Sequence, residues 1–133
     1  MPVRPARDDD RPQVGTWKLE LWGEDAWPEG ETVLVWDDGD EALGGFISLT
    51  VRPWANGCDS SPVPFVEGWY VAASGRRRGI GRALMAAAED WARAEGFTEL
   101  GSDVLLENTA SLQAHRQVGF QPTEQVQYFR KDL

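Results

Sequence analysis

The stretch Phe65–Gly96, FVEGWYVAASGRRRGIGRALMAAAEDWARAEG, decides the fold. Its opening residues are apolar, aromatic and β-branched, which reads as a strand over Phe65 to Ala72. From Ile80 the apolar positions Ile80, Ala83, Leu84, Ala87, Ala88, Trp91 and Ala94 recur at three and four residues. That is the stripe of an amphipathic helix, and Gly96 stops it. Between strand and helix lies Arg76-Arg77-Arg78-Gly79-Ile80-Gly81. At Gly79 and Gly81 no side chain blocks the main-chain N–H groups, the helix start adds the positive end of a dipole, and the arginines add charge. Such a bend suits a pyrophosphate. It lacks the Gly-Lys-Ser/Thr ending of a Walker A loop, and no later ribose-binding acid completes a dinucleotide fingerprint.

Working outward, Glu31 to Trp36 and Leu43 to Val51 read as antiparallel strands joined at Asp37-Asp38-Gly39-Asp40. Ahead of them Val3 to Ala6 reads as a short strand, and Asp8 to Asp10 as the start of a helix running to about Trp22, with Pro12 in its first turn. Pro53 to Pro64 is a loop, and Gly68 permits a bulge or a close backbone approach in the strand that follows. Downstream, Thr98 to Leu105 reads as a strand and Asn108 as the cap of a short helix through Val118 that Gly119 ends. Phe120 and Val126 to Arg130 then close the chain as β structure. The order β-α-ββ-β-α-β-α-β describes an α/β sandwich, and 133 residues suffice for one domain, 1–133.

Thirteen basic against 22 acidic residues give a net charge of −9, which disfavours nucleic acid and anionic lipid and favours a cationic partner. One cysteine, Cys58, and one histidine, His115, exclude a disulfide framework and make a zinc cluster improbable; no metal is expected. Met1 to Asp10 lacks the apolar region of a signal peptide and no window has the length of a membrane span, so a cytoplasmic location without membrane partners is expected.

The Arg-x-x-Gly-x-Gly spacing after a strand resembles the coenzyme A loop of the GCN5-related N-acetyltransferases (GNAT). Asn108, His115 and Gly119-Phe120 fall where that superfamily places Asn, a tyrosine seven residues on, and Gly-Phe. Gly57-Cys58-Asp59-Ser60-Ser61-Pro62, Glu67-Gly68-Trp69-Tyr70-Val71, Ser102-Asp103 and Tyr128-Phe129-Arg130-Lys131 resemble one branch of it, the aminoglycoside 6'-N-acetyltransferases. The resemblance covers about Asn56 to the C-terminus.

It implies an α/β (α+β) GNAT-type fold with a mixed, mostly antiparallel sheet splayed between strands 4 and 5 and flanked by helices. It also implies acetyl-CoA as cosubstrate: the backbone of Trp69, Tyr70 and Val71 would pair with the pantetheine arm. Arg76, Arg77, Arg78, Gly79, Ile80, Gly81 and Arg82 would hold the pyrophosphate, and Asn108 would contact the cofactor. The backbone N–H near Val71 would be the donor to the thioester oxygen. If strands 4 and 5 splay, Glu67 and Asp103 face one cleft and hold a polycation while one of them removes a proton. His115, at the tyrosine position, would protonate the departing sulfur. By the same resemblance Trp22 and Trp54 would stack against sugar rings, and Glu124 would reach the acceptor site of a neighbouring subunit in a homodimer. One departure stands out: between Trp27 and Glu31 the chain passes almost directly to the next strand, where that branch carries much of a second helix.

The implied function is acetylation of an aminoglycoside 6'-amine by direct transfer in a ternary complex. The alternatives are transfer to another amine, such as a polyamine or protein N-terminus, and a non-catalytic acyl-CoA-binding module. Cys58 lies in a polar loop with no base beside it in sequence and is read as incidental.

Overall fold

In a computed structural model that describes residues 2–75 and 78–133, a five-stranded sheet runs in the order β1-β2-β3-β4-β5. The strands are β1 Val3–Pro5, β2 Thr32–Trp36, β3 Gly45–Arg52, β4 Val63–Val71 and β5 Gly101–Ser102. All pairs are antiparallel except β4–β5, which is parallel. Helix α1, Arg11–Trp22, covers one face; α2, Ile80–Ala94, covers the other; α3, Thr109–Gln117, follows β5.

The alternation of side chains along β2, β3 and β4 decides what each helix buries. Leu34, Ile47, Leu49 and Val66 meet Ile80, Leu84, Met85 and Ala88 of α2, the stripe visible in the sequence. Val33, Val35 and Phe46 meet Val14 and Trp17 of α1 on the opposite face. The acidic run that opens α1 works differently from a plain cap. Asp8–Asp10 form a 3₁₀ turn, and the Asp10 carboxylate accepts from Arg4 Nη1 at 2.7 Å and the Arg7 amide at 2.7 Å. Arg4 holds that carboxyl below the usual range against the opposing effect of burial, and so pins the helix start to β1.

Within α1 Lys18 is fully buried, with Nζ 2.7 and 2.9 Å from the Glu31 oxygens and 2.8 Å from the Ala26 carbonyl. Its ammonium also lies 3.7 Å from the Trp27 ring centroid, and Ser48 donates to the same Glu31. These bonds fix the turn between α1 and β2, which contains no second helix.

Two expectations need correction. The strand over Thr98 to Leu105 contracts to Gly101–Ser102, because Glu99 turns aside to accept the amides of Asp59 and Ser60 and the chain leaves β4 after Ser102. The closing strand over Val126 to Arg130 is not formed: residues 121–133 are exposed and carry no strand pairing. A strand needs a neighbour's row of N–H and C=O groups, and this segment has none within the described chain. Val126, Tyr128, Phe129 and Leu133 stand exposed along it.

Candidate active site

The site is built where β4 is interrupted. Ser48 pairs with Gly68 and Leu49 with Val66, so Glu67 is an extra residue in β4, a β-bulge. A bulge re-aims side chains. Here it turns Glu67 to the α1 side of the sheet, where Thr50 and Arg52 of β3 meet it. Thr50 Oγ1 donates to Oε2 at 2.6 Å, Arg52 Nε to Oε2 at 2.8 Å and Arg52 Nη2 to Oε1 at 2.7 Å. Burial pushes the Glu67 carboxyl up, but the Arg52 guanidinium and the Thr50 hydroxyl outweigh it and hold the group below the usual range. Arg52 lies flat over Phe65, 3.6 Å from the ring centroid. A carboxylate clamped in this way stays ionised and takes up protons poorly.

The parallel ladder pairs Phe65 with Gly101 and Val66 with Ser102 and then ends. Glu67 and Asp103 are the next residues on the two strands, so the sheet opens between these carboxylates. Asp103 is exposed and near enough to Arg52 to raise the guanidinium's basicity together with Glu67. Both acids therefore border one opening. Gly101 permits the approach: a Cβ there would lie 2.8 Å from Cys58 Sγ and 2.9 Å from the Phe65 ring. Cys58 itself packs with Ala55, Val63 and Phe65, and burial, with Glu99 and Asp59, pushes its thiol up. It is a poor nucleophile.

Beside Glu67 runs a groove of about 250 Å³ lined by Trp22, Glu24, Glu31, Thr50 and Glu67 among others. The short turn after α1 forms its wall in place of a second helix. Trp22 lies across Gly68, where a Cβ would be 2.6 Å from the indole, so Gly68 serves both the bulge and the close approach. Trp54 is 65% exposed and outside this lining, and Glu124 is exposed in the C-terminal segment.

On the other side of the split the β4 edge is open. Ala72 N–H is spent on the Gly44 carbonyl, so by alternation the amides of Val71 and Trp69 point away from β3, toward the edge that β5 has left. The Tyr70 side chain goes to the α1 face, stacked on Trp17 with its hydroxyl 2.9 Å from Glu20. Past Val71 the chain reaches the N-terminus of α2. Gly79 is the capping residue there, at φ +79°, and a Cβ added to it would meet nothing within 4 Å among the described residues. Gly81 backs onto Val71 and Trp69, and Trp69 Nε1 donates to its carbonyl at 3.0 Å. Among the described residues the bend is therefore open at Gly79 and braced by β4 at Gly81, which leaves the main-chain amides of these two glycines room for a diphosphate. Ile80 is core, Arg78 pairs with Asp38 at 3.3 Å, and Arg82 donates to the Gln117 carbonyl at 3.4 Å. Arg76 and Arg77 lie outside the described residues.

Asn108 caps α3, its side chain accepting from the Ser111 amide at 3.2 Å. His115 projects from α3 onto Trp69 and Phe120, at ring distances of 5.3 and 5.1 Å, with Nε2 2.7 Å from Ser102 Oγ. Of the expected groups, Trp22, Glu67 and Asp103 thus border the split on the α1 side and Trp69, Gly79, Gly81 and His115 lie on the α2 side, while Trp54 and Glu124 stand apart from the groove. Sequence reasoning assigned no role to Thr50, Arg52 or Ser102, the last quoted only as part of the Ser102-Asp103 motif. For the first two a signal existed: they alternate along a strand that must pair with the one carrying Glu67.

Among the described residues no group of three or more His, Cys, Asp or Glu stands together as a metal site, and no helix is long and apolar enough to cross a membrane. The family model described as the Acetyltransferase (GNAT) family matches residues 4–120. A Klebsiella aerogenes protein named aminoglycoside N(6')-acetyltransferase type 1 is 43% identical over 98% of this chain and 96% of its own length. A Stenotrophomonas maltophilia protein of the same name is 47% identical over 98% and 93%. The solved structure of AAC(6')-Iy in complex with the bisubstrate analog CoA-S-monomethyl-acetylneamine superposes with a TM-score of 0.86 at 30% identity, covering 98% of this chain and 97% of that one.

Proposed function

We propose, because the chain belongs to the GNAT acetyltransferase family, that it transfers the acetyl group of acetyl-CoA to the 6'-amine of aminoglycosides by direct attack in a ternary complex. The observation that carries the reading is the split in the sheet. A coenzyme cradle at Gly79 and Gly81 stands on one side of it, and the Glu67–Asp103 pair on the other.

Acetyl-CoA supplies the activated thioester, and the residues of this chain do the rest. The Gly79 and Gly81 amides hold the diphosphate, and the open β4 edge at Trp69 and Val71 aligns the extended arm, with Val71 N–H on the thioester oxygen. Glu67, kept charged by Arg52, anchors the polycation, and Trp22 offers an indole face to a sugar ring. Asp103, exposed at the opening, takes the proton that an ammonium must lose before it attacks, directly or through one water. The net charge of −9 steers the cation in. A cytoplasmic location suits this chemistry. The exposed Val126, Tyr128 and Phe129 beside Glu124 support a homodimer in which that acid reaches the partner's groove.

Thiol release from acetyl-CoA, measured with kanamycin or tobramycin, spermidine, and an aminoglycoside bearing a 6'-hydroxyl, tests the reading. Turnover that requires the 6'-amine is expected. Preference for spermidine would favour another amine as acceptor, and coenzyme binding without turnover a binding module. Asp103→Asn is expected to lower kcat by about a hundredfold with coenzyme affinity unchanged by calorimetry. Gly68→Ala, whose new methyl would displace Trp22, is expected to raise the aminoglycoside KM several-fold and to cost about 1–3 kcal/mol of stability, again with coenzyme affinity intact.

A further inference from the structure

Ser102 is the last residue that β5 pairs with β4, so it borders the point where the sheet parts. Its Oγ lies 2.7 Å from His115 Nε2, and His115 Nδ1 lies 2.7 Å from the Ser111 carbonyl oxygen. A carbonyl oxygen only accepts, so in the neutral imidazole the proton is on Nδ1. Nε2 then accepts, and the Ser102 hydroxyl must donate to it. Trp69 meets the ring edge-on and Phe120 lies against it at a tilt, which fixes its orientation. A hydroxyl, a base and a group that orients the base therefore follow one another, the order in which a side-chain oxygen is made a proton carrier. With its own proton committed to His115, Ser102 Oγ presents lone pairs to any third group at the split.

We propose that Ser102 is a further catalytic residue, a relay that carries a proton between the reacting atoms and His115. The proposal rests on the acetyl-transfer reading. When the amine nitrogen has bonded to the acetyl carbon it holds one proton too many. As that N–H bond breaks, its proton goes to Ser102 Oγ while the Ser102 O–H proton moves to Nε2; Ser102 stays neutral and His115 becomes imidazolium. When the C–S bond breaks, its electron pair goes to sulfur and the path reverses. Nε2 returns a proton to Oγ, and Oγ hands its own to sulfur. One neutral amine and one thioester give one amide and one thiol, and Ser102 and His115 end in the protonation states in which they began. On this geometry His115 reaches the sulfur through Ser102, since its own nitrogens are both engaged.

The test compares Ser102→Ala and Ser102→Thr. Ser102→Ala is expected to lower kcat by about a hundredfold with coenzyme affinity and aminoglycoside KM unchanged, and Ser102→Thr, which keeps the hydroxyl, to recover most of the rate. The double variant Ser102→Ala/His115→Asn should be no slower than the slower single one, because the two act as a unit. Nitrogen NMR of the free enzyme reads the pair independently of turnover: the neutral His115 ring is expected to carry its proton on Nδ1. If the wild type releases thiol with a 6'-amine but Ser102→Ala keeps its kcat, or the neutral ring is protonated on Nε2, the relay falls and the acetyl-transfer reading stands. Acetylation of Ser102 by acetyl-CoA would also overturn it. A wild type that turns over no amine at all would take down both.

Discussion

Gly79→Asp is expected to abolish measurable coenzyme A binding while leaving the fold intact. No atom of the described residues lies within 4 Å of a side chain's first carbon at this position, so there is room for the group, although φ +79° makes any L residue there strained. The cost falls on the ligand. A carboxylate about 5 Å from a phosphate, at an effective dielectric of about 20, opposes each unit of phosphate charge by about 3 kcal/mol, more than a hundredfold in affinity. Gly79→Asn separates charge from shape, since Asn tolerates the left-handed region and carries no charge. It should retain most of the binding in the same titration calorimetry, and circular dichroism should show both variants folded. If Gly79→Asp bound coenzyme A as the wild type does, the diphosphate would have to sit elsewhere.

Lys18→Met is expected to have the largest effect on stability of any single change considered. It removes the partner of Glu31, a carboxylate whose side chain is only 5% exposed, and leaves that charge beneath α1 with one hydroxyl donor. Breaking a buried pair from one side costs about 3–5 kcal/mol, a large share of the ~5–15 kcal/mol that holds a domain together. The thermal midpoint should fall by about 10 °C or more. The double variant Lys18→Met/Glu31→Gln removes the orphan charge and should recover much of the loss. Glu31 also lines the groove, so the same ion pair sets the shape of the acceptor wall. If Lys18→Met melted at the wild-type temperature, the pair would contribute nothing and the turn after α1 would be held by packing alone.

What the sequence revealed and what it hid follow one division. The unit from β4 through the bend into α2 was legible because local rules decide it: a β-branched run, glycines at a helix start and a stripe at helical spacing. The bulge was half legible, since Gly68 permits one, but only the β3–β4 register makes Glu67 the extra residue. Non-local geometry was hidden. Thr98 to Leu105 has strand-like chemistry along its whole length, and the parting of Asp103 from Glu67 was expected from the family resemblance, not from either segment alone. Lys18 reads as a solvated lysine until the Ala26 carbonyl and Glu31 are seen to enclose it. Val126 to Arg130 reads as a strand because its local chemistry suits one, but strand pairing is non-local, and the described residues provide no partner.

We propose that one split in the sheet seats a diphosphate-bearing thioester from the α2 side and an amine from the α1 side. A crystal structure of the protein with coenzyme A and an aminoglycoside bearing a 6'-amine tests it most directly. The diphosphate is expected on the amides of Gly79 and Gly81, and the 6'-nitrogen between Glu67 and Asp103 with the sulfur near Ser102. A diphosphate bound away from α2, or an aminoglycoside seated with its 6'-nitrogen outside the Glu67–Asp103 opening, would contradict it.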